Sequence, residues 1–476
     1  MTDGPQVPRL VSWARARWDE ARGRGVVVVP EGVVALSETA WEVVRRCDGA
    51  RSFEAILDGL QAEFVGAPRA ELAADAGALL AWLRARRFLR WDGGPEAPPG
   101  PLGPLPAAPA TPGGLPLPEA LLCELTYRCP LRCGYCSNPA RWWDHPEAMS
   151  AADWGRLFDQ AAALGVLHVH LSGGEPLLRD DLEAIVARAH AAGLYVNLIT
   201  SAWGLTPRRL DALRTAGVDH VQVSLQDTDP EAADALAGAR AHAHKLQAAR
   251  WVVASGAALS INVVLHRHNL GHLGALVDLA ADLGAVRIEL ANTQFHGSAL
   301  AHAPSLLPSP AQIAQATVDL AAARARHGHA LDIVWVVPDW YAGLPRPCMD
   351  GWGTRFVTVT PAGVALPCPG AHDLPGMALD RVQGADLAAL WRTGADFQRY
   401  RGTAWMHDPC ASCDRRTVDH GGCRCQAFAL TGDPAATDPA CHKSPHHALI
   451  LKARDQEAPT ATIIPMRLRK PYAVKP

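Results

Sequence analysis

The sequence predicts an α/β protein in three parts: an incomplete (β/α)6 barrel, a small winged-helix-like α+β domain ahead of it and a cysteine-rich domain behind it. Three observations carry this. Between residues 119 and 340, six apolar runs of strand length alternate with Ala- and Leu-rich helical stretches, the pattern of parallel β/α units. Residues 92–118 hold ten prolines and six glycines, a linker that separates the barrel from residues 1–91. Seven of the twelve cysteines fall in residues 341–447, where the alternation fades. Residues 448–476 form a tail with no readable motif and several basic residues, expected to be loose.

Composition bounds the function. A chain of 476 residues can bury two or three cores. Hydrophobic residues make up 49% and charged residues 20%, with a net charge of −3, so no basic excess points to nucleic acid or to an anionic membrane. Met1 to Arg9 carries no apolar targeting segment, and no run of about twenty uncharged apolar residues occurs. The expected location is cytoplasmic. Reducing cytosol disfavours disulfides, so twelve cysteines in this distribution point to metal.

In the first part, Val26–Val29 and Val33–Leu36 read as a hairpin turned by Pro30-Glu31-Gly32. Ser37 is a predicted N-cap of one short helix, and a second is predicted to start at Ser52 and to bury Phe53, Ile56, Leu57, Leu60 and Phe64. A third helix carries Leu72, Leu79, Leu80, Trp82 and Leu83, before a short strand at Phe88–Trp91. A DNA-reading role is disfavoured because the third helix lacks a Lys/Arg stripe. The Pro-rich linker favours extended polyproline II, at about 3.1 Å per residue. The barrel strands are predicted at Ala120–Thr126, His168–Ser172, Tyr195–Thr200, His220–Leu225, Ser260–Leu265 and Arg287–Leu290. Functional residues belong at their C-terminal ends.

Two motifs obey that rule. Cys129, Cys133 and Cys136, spaced C-x3-C-x2-C, follow the first strand, and Gly173-Gly174-Glu175-Pro176 follows the second. The three cysteines alone could be a partial zinc site or buried structural thiols, and Cys47 and Cys123 are read as small buried hydrophobes. Later strand ends offer Thr200-Ser201, Ser224 and Gln226, His266, and Asn292-Thr293-Gln294, of which Ser224 and Gln226 are expected to help hold a cofactor or substrate.

The pair of motifs resembles the radical S-adenosylmethionine superfamily. The resemblance implies a [4Fe–4S] cluster on Cys129, Cys133 and Cys136, with one iron left open for S-adenosylmethionine. It further implies that Gly173, Gly174 and Glu175 receive the amino group of that cofactor, and Tyr135, within the cysteine motif, counts with the cofactor-binding residues. The run from Pro30 to Ala40, with Cys47-Asp48-Gly49, resembles the PqqD family over residues 7–91. That implies recognition of a precursor peptide which adds a strand to the sheet edge.

The late cysteines resemble the SPASM domain of radical peptide maturases, with Asp419 where the general pattern has cysteine. The segments Gly402–Met406, Cys410–Arg416, Gly421–Ala427 and Cys348–Gly353 are similar to the PqqE family, which also places Asp there. Carried across, Cys348, Cys368, Cys423 and Cys425 would hold a nearer auxiliary cluster, and Cys410, Cys413, Asp419 and Cys441 an outer one. Taken alone, these spacings also suit two zinc sites.

The resemblance implies a radical oxidoreductase that joins a glutamate side chain to a tyrosine ring in the PqqA peptide during pyrroloquinoline quinone biosynthesis. Its implied partners are that peptide and a reducing donor such as a flavodoxin, with no nucleic acid and no membrane. The alternatives are a SPASM maturase making a different crosslink, and a non-catalytic zinc-containing peptide scaffold. One segment departs from the family: Phe295-His296-Gly297-Ser298 stands where a Tyr-Tyr-Gly-Trp run is usual, with His296 as the polar substitute.

Overall fold

Alternating valines build the N-terminal unit. The computed structural model describes residues 7–91, 114–138, 144–295, 297–336 and 339–455. Strand β1 (Arg9–Leu10) lies at its edge, and β2 (Arg15–Asp19), β3 (Arg24–Val29) and β4 (Gly32–Ala35) form an antiparallel sheet in that order. Val27, Val29 and Val34 face the unit's own helices α1 (Glu38–Val44), α2 (Phe53–Glu63) and α3 (Arg69–Ala85). Ser37 and Ser52 cap α1 and α2 by accepting from the amides of Ala40 and Ala55, as their positions predict. Strand β5 (Leu89–Arg90) closes the unit by pairing with β1.

Sequence reading missed β2. Its pattern, Arg-Ala-Arg-Trp-Asp, puts arginines where a solvent-facing loop would. Arg15 and Arg17 instead bind the underside of the barrel, donating to the carbonyls of Leu194 at 3.2 Å and Gly193 at 2.8 Å.

The six barrel strands form where predicted, with ends moved by two residues at most: β6 (Ala120–Thr126), β7 (His168–Gly173), β8 (Tyr195–Thr200), β9 (His220–Leu225), β10 (Ala258–Leu265) and β11 (Arg287–Asn292). All six run parallel to their neighbours. The sheet then grows at both edges. Strand β12 (Asp332–Trp335) pairs parallel with β11, β13 (Phe356–Val359) pairs parallel with β6, and β14 (Ala365–Leu366) pairs antiparallel with β13. A sheet that does not close leaves β6 an open edge, and the hairpin from the cysteine-rich region satisfies it. On one face Leu121, Cys123, Leu125, Val169 and Leu171 pack into the large apolar core beneath α4 (Ala151–Ala163) and α5 (Leu182–Ala191). Buried polar side chains, among them Asn197, His220 and Ser260, alternate with that core along the strands.

Parallel strands put every strand C-terminus at one end, called the upper end. The N-terminal unit docks at the other. Its contacts gather towards the strand starts: His168 Nε2 donates to the Val29 carbonyl at 3.0 Å, the Tyr195 hydroxyl to the Trp13 carbonyl at 2.9 Å, and Arg15 pairs with Asp219 at 2.6 Å. Arg22 reaches the carbonyls of Gly165 at 2.8 Å and Leu117 at 3.2 Å. Glu31, at a left-handed φ of 53° on the β3–β4 turn, enters the lower end, accepting from Gln222 and pairing with Arg287 at 3.1 Å.

The segment expected as a loose tail begins as a helix, His447–Asp455, whose Ile450 is buried against Phe295 and Trp340. An apolar residue on one turn of a short helix gave too little periodicity to read. The linker residues 92–113 and the tail from 456 lie outside the described residues. Among the described residues no helix is long and apolar enough to cross a membrane.

Candidate functional site

The Cys129–Cys136 loop leaves β6 and presses against the Gly-Gly-Glu loop that leaves β7. The Gly174 amide donates to the Thr126 carbonyl at 2.5 Å, and the Glu175 amide to the Arg128 carbonyl at 2.8 Å. Glycine is required at both positions. Gly173 has φ 125°, and a Cβ there would collide with the Thr126 oxygen; at Gly174 it would strike the Arg128 oxygen. The Gly173 carbonyl also accepts from Asn138 at 2.7 Å. Cys129 and Leu131 of the cysteine loop pack on Ala237 and Ala241, with the Arg132 amide bonded to the Ala237 carbonyl at 2.8 Å.

Glu175 is fully buried. One carboxylate oxygen accepts from the Leu177 amide at 3.0 Å and the Thr200 hydroxyl at 2.6 Å; the other accepts from the Ser201 amide at 2.8 Å and the Ser201 hydroxyl. Burial pushes its pKa up, and the hydroxyls of Ser201 and Thr200 pull it down. The carboxylate therefore ties the β7 loop to the end of β8. Thr200 and Ser201, named at the sequence level only as strand-end polar groups, are its partners.

Above β9 the predicted residues Tyr135 and Gln226 meet. Gln226 Nε2 donates to the Tyr135 hydroxyl at 2.9 Å, and its Oε1 accepts from Lys245 Nζ at 2.7 Å. Ser224 contributes its backbone: its carbonyl accepts from the same Nζ at 3.1 Å. Lys245, missed in the sequence, has no exposed surface. Burial lowers its pKa, and the neighbouring Cys133, Glu175 and Cys129 raise it again. Its signal was present but faint, a lysine on the apolar side of an Ala-rich helix. The Tyr135 ring lies 5.6 Å from the buried His266 ring, and its phenol is held well above its ordinary pKa, first by burial and then by Cys133. Three thiols on one loop, with a buried amine among them, fit a thiolate-held, net-negative cluster. Of the other strand-end residues, Thr293 donates to the Leu265 carbonyl at 2.8 Å. His296 lies outside the described residues, while Phe295 is buried with its ring 4.8 Å from that of Trp340.

The late cysteines gather as two groups. Cys368 Sγ and Cys425 Sγ stand 3.4 Å apart. The Cys425 thiol is raised by its contacts with Cys368 and Cys423, and the Cys348 thiol by its contact with Cys423. In the second group burial raises Cys441, and Cys410, Asp419 and Cys413 raise it further. Among the described residues no three His, Cys, Asp or Glu side chains converge on a single-ion site. Two residues missed in the sequence shape this region. Asp438, with no exposed surface, accepts from the Cys423 amide at 2.7 Å and from Gln426 at 2.9 Å. Arg424 is buried under Trp405 at 4.6 Å and donates to the carbonyls of Pro434 and Ala436 at 3.0 and 2.8 Å.

A line of titratable groups joins the two cysteine regions. Glu124, on β6, accepts from the Tyr127 hydroxyl at 2.6 Å, and burial pushes its carboxyl up to about 7. The Tyr127 ring lies 5.2 Å from His145, which lies 4.9 Å from His372, four residues beyond Cys368.

Known proteins resemble this chain. Residues 123–280 match the Radical SAM superfamily, and residues 24–89 match coenzyme PQQ synthesis protein D (PqqD). A PqqA peptide cyclase of Streptomyces rochei is 50% identical over 333 residues, covering 70% of this chain and 92% of the relative. The chain belongs to the PqqA peptide cyclase family. A Ruegeria pomeroyi member of that family is 49% identical over 334 residues, covering 70% of this chain and 89% of its own length. Radical SAM members of this kind use S-adenosylmethionine and a [4Fe–4S] cluster. The fold also matches solved structures: Streptococcus suis SuiB bound to S-adenosylmethionine, at TM-score 0.60 and 17% identity over 90% of this chain and 98% of SuiB, and anSMEcpe bound to AdoMet, at 0.52 and 14% over 71% and 96%. The PqqD match at residues 24–89 precedes the Radical SAM match at residues 123–280 in the same chain.

Proposed function

We propose that this chain is a radical peptide cyclase that joins a glutamate side-chain carbon to a tyrosine ring in a PqqA-like precursor peptide, working in the cytoplasm with a reducing donor such as a flavodoxin. The observation that carries the reading is the near-50% identity to PqqA peptide cyclases along most of their length, in a chain that also carries a PqqD unit.

In this reading residues 1–91 form the winged-helix-like recognition domain, 92–118 the linker, 119–340 the partial barrel and 341–447 the SPASM domain. Cys129, Cys133 and Cys136 hold the [4Fe–4S] cluster. When bound, that cluster supplies one-electron cleavage of S-adenosylmethionine and, through it, removal of a hydrogen atom from a substrate carbon. The chain's own residues position and shield. The Glu175 carboxylate ties the Gly173-Gly174 loop to the end of β8 while the Gly174 and Glu175 amides hold it against the cysteine loop, so that its backbone faces the cofactor. Lys245 holds Gln226, and Gln226 holds the Tyr135 ring at the rim of the site. Cys348, Cys368, Cys423 and Cys425 hold a nearer auxiliary cluster; Cys410, Cys413, Asp419 and Cys441 hold an outer one. Carboxylate is a harder ligand than thiolate, so Asp419 sets the outer group apart.

The test is anaerobic reconstitution with S-adenosylmethionine, reductant and a PqqA-like peptide containing Glu and Tyr. A product lighter by two hydrogens, with a Glu–Tyr crosslink in its tandem mass spectrum, is expected; a thioether or other linkage in that spectrum, or zinc without iron in the purified protein, overturns the reading. Cys133→Ala is expected to abolish both the crosslink and 5′-deoxyadenosine.

A further inference from the structure

The recognition unit and the chemical site occupy opposite ends of the barrel. The docking contacts of the unit lie towards the starts of the strands, as at His168, Tyr195 and Arg287, whereas the cysteine loop and Gly173-Gly174-Glu175 follow strand ends. The lower end is also plugged. Val26 and Val28 are at most 1% exposed and pack with Tyr195, and the Glu31 turn fills the space beside Gln222 and Arg287. A peptide bound to the unit has no route up through the barrel interior.

The unit's sheet offers little choice of binding surface. One face lies on Tyr195 of the barrel, and the other is the unit's own core. In the three-stranded sheet the order β2-β3-β4 leaves β2 and β4 as the edges at which an incoming strand can pair.

We infer that the recognised segment of the precursor peptide and its reacting side chains must be separated by at least about six residues of chain that runs outside the barrel wall. The inference rests on the peptide-cyclase reading. Strands β6 to β11 are six to eight residues long, so the two ends stand roughly 20 Å apart. An extended chain covers about 3.3–3.6 Å per residue, which makes about six residues the floor. A tether shorter than its span gives almost no effective concentration; a longer one loses it only gradually, roughly as the −3/2 power of length.

The experiment uses the full reconstituted chain and a PqqA-like peptide in which residues directly N-terminal to the reactive glutamate are deleted, or Gly-Ser residues are inserted. Crosslink formation gives kcat/KM, and fluorescence anisotropy gives the affinity of each labelled peptide. Peptides with spacers below about six residues are expected to bind within threefold of the parent and to lose at least tenfold in kcat/KM; doubling the spacer costs about threefold. Arg287→Ala, which removes the ionic partner of Glu31 and loosens the dock, is expected to recover part of the turnover of the short peptides. Short peptides cyclised as fast as the parent overturn the spacing rule and leave the function standing. A parent peptide that binds but yields no crosslink overturns the functional reading on which the rule rests.

Discussion

Glu175, fully buried, and Glu31, largely buried, are carboxylates at opposite ends of the barrel, and they find their partners differently. Glu175 takes its donors from residues within 26 positions of itself, in its own loop and at the end of the next strand of the same sheet. Glu31 takes its donors from more than 190 residues away, in a different part of the chain. The upper network therefore forms whenever the β7–β8 unit folds. The lower one forms only when two separately folding units meet. A buried charge left without its partner costs several kcal/mol in either place, so the first network guards the site and the second guards the joint.

Breaking the upper network carries the largest expected effect. Glu175→Ala leaves the Thr200 and Ser201 hydroxyls and two amides without their acceptor, and is expected to cost about 3 kcal/mol in a denaturant titration and to abolish S-adenosylmethionine cleavage. At the lower end Arg287→Ala at pH 8 removes the cation shared by Glu31 and Asp332. A loss of about 3 kcal/mol is expected, confined to docking, so that calorimetry resolves two transitions where the parent has one. A single shifted transition with activity lost would mean that the two ends are not separable.

The third prediction sharpens the lower end by pH. Burial pushes the Glu31 carboxyl up from its ordinary 4.5 to about 7, against the pull of Arg287. Between those values the docked state holds more protons than the unfolded chain, so this contribution to stability is present below pH 4.5 and is lost as pH rises to 7. Thermal melts of the parent and of Glu31→Gln are expected to diverge across that window by on the order of 2 kcal/mol, against the parent. The smallest effect returns to the upper end. Lys245→Met removes one hydrogen bond to Gln226 and frees the Tyr135 ring; a rise of about tenfold in KM for S-adenosylmethionine, with folding intact, is expected.

The same contrast explains what could be read from the chain. The six barrel strands, the caps at Ser37 and Ser52, and the glycines at 173 and 174 are local features, set by periodicity, side-chain capping and steric exclusion over a few residues. Strand β2 was not legible, because its arginines face a surface that the sequence does not announce. Nor were Asp438 and Lys245, since a lone acid or lysine reads as solvated until its burial is known. The helix at His447–Asp455 and strand β13 likewise depend on partners distant in sequence.

That last pairing has a practical consequence. Because β13 lies alongside β6, the strand that bears the first cysteine loop, the catalytic barrel shares its hydrogen-bonded sheet with the segment that follows residue 340. A chain cut at the end of the barrel would expose the backbone donors and acceptors along β6, an apolar strand ready to pair with another copy of itself. Such a truncation is a recipe for inclusion bodies rather than for a minimal enzyme, and the sheet, more than any boundary drawn on the sequence, defines the smallest piece worth expressing.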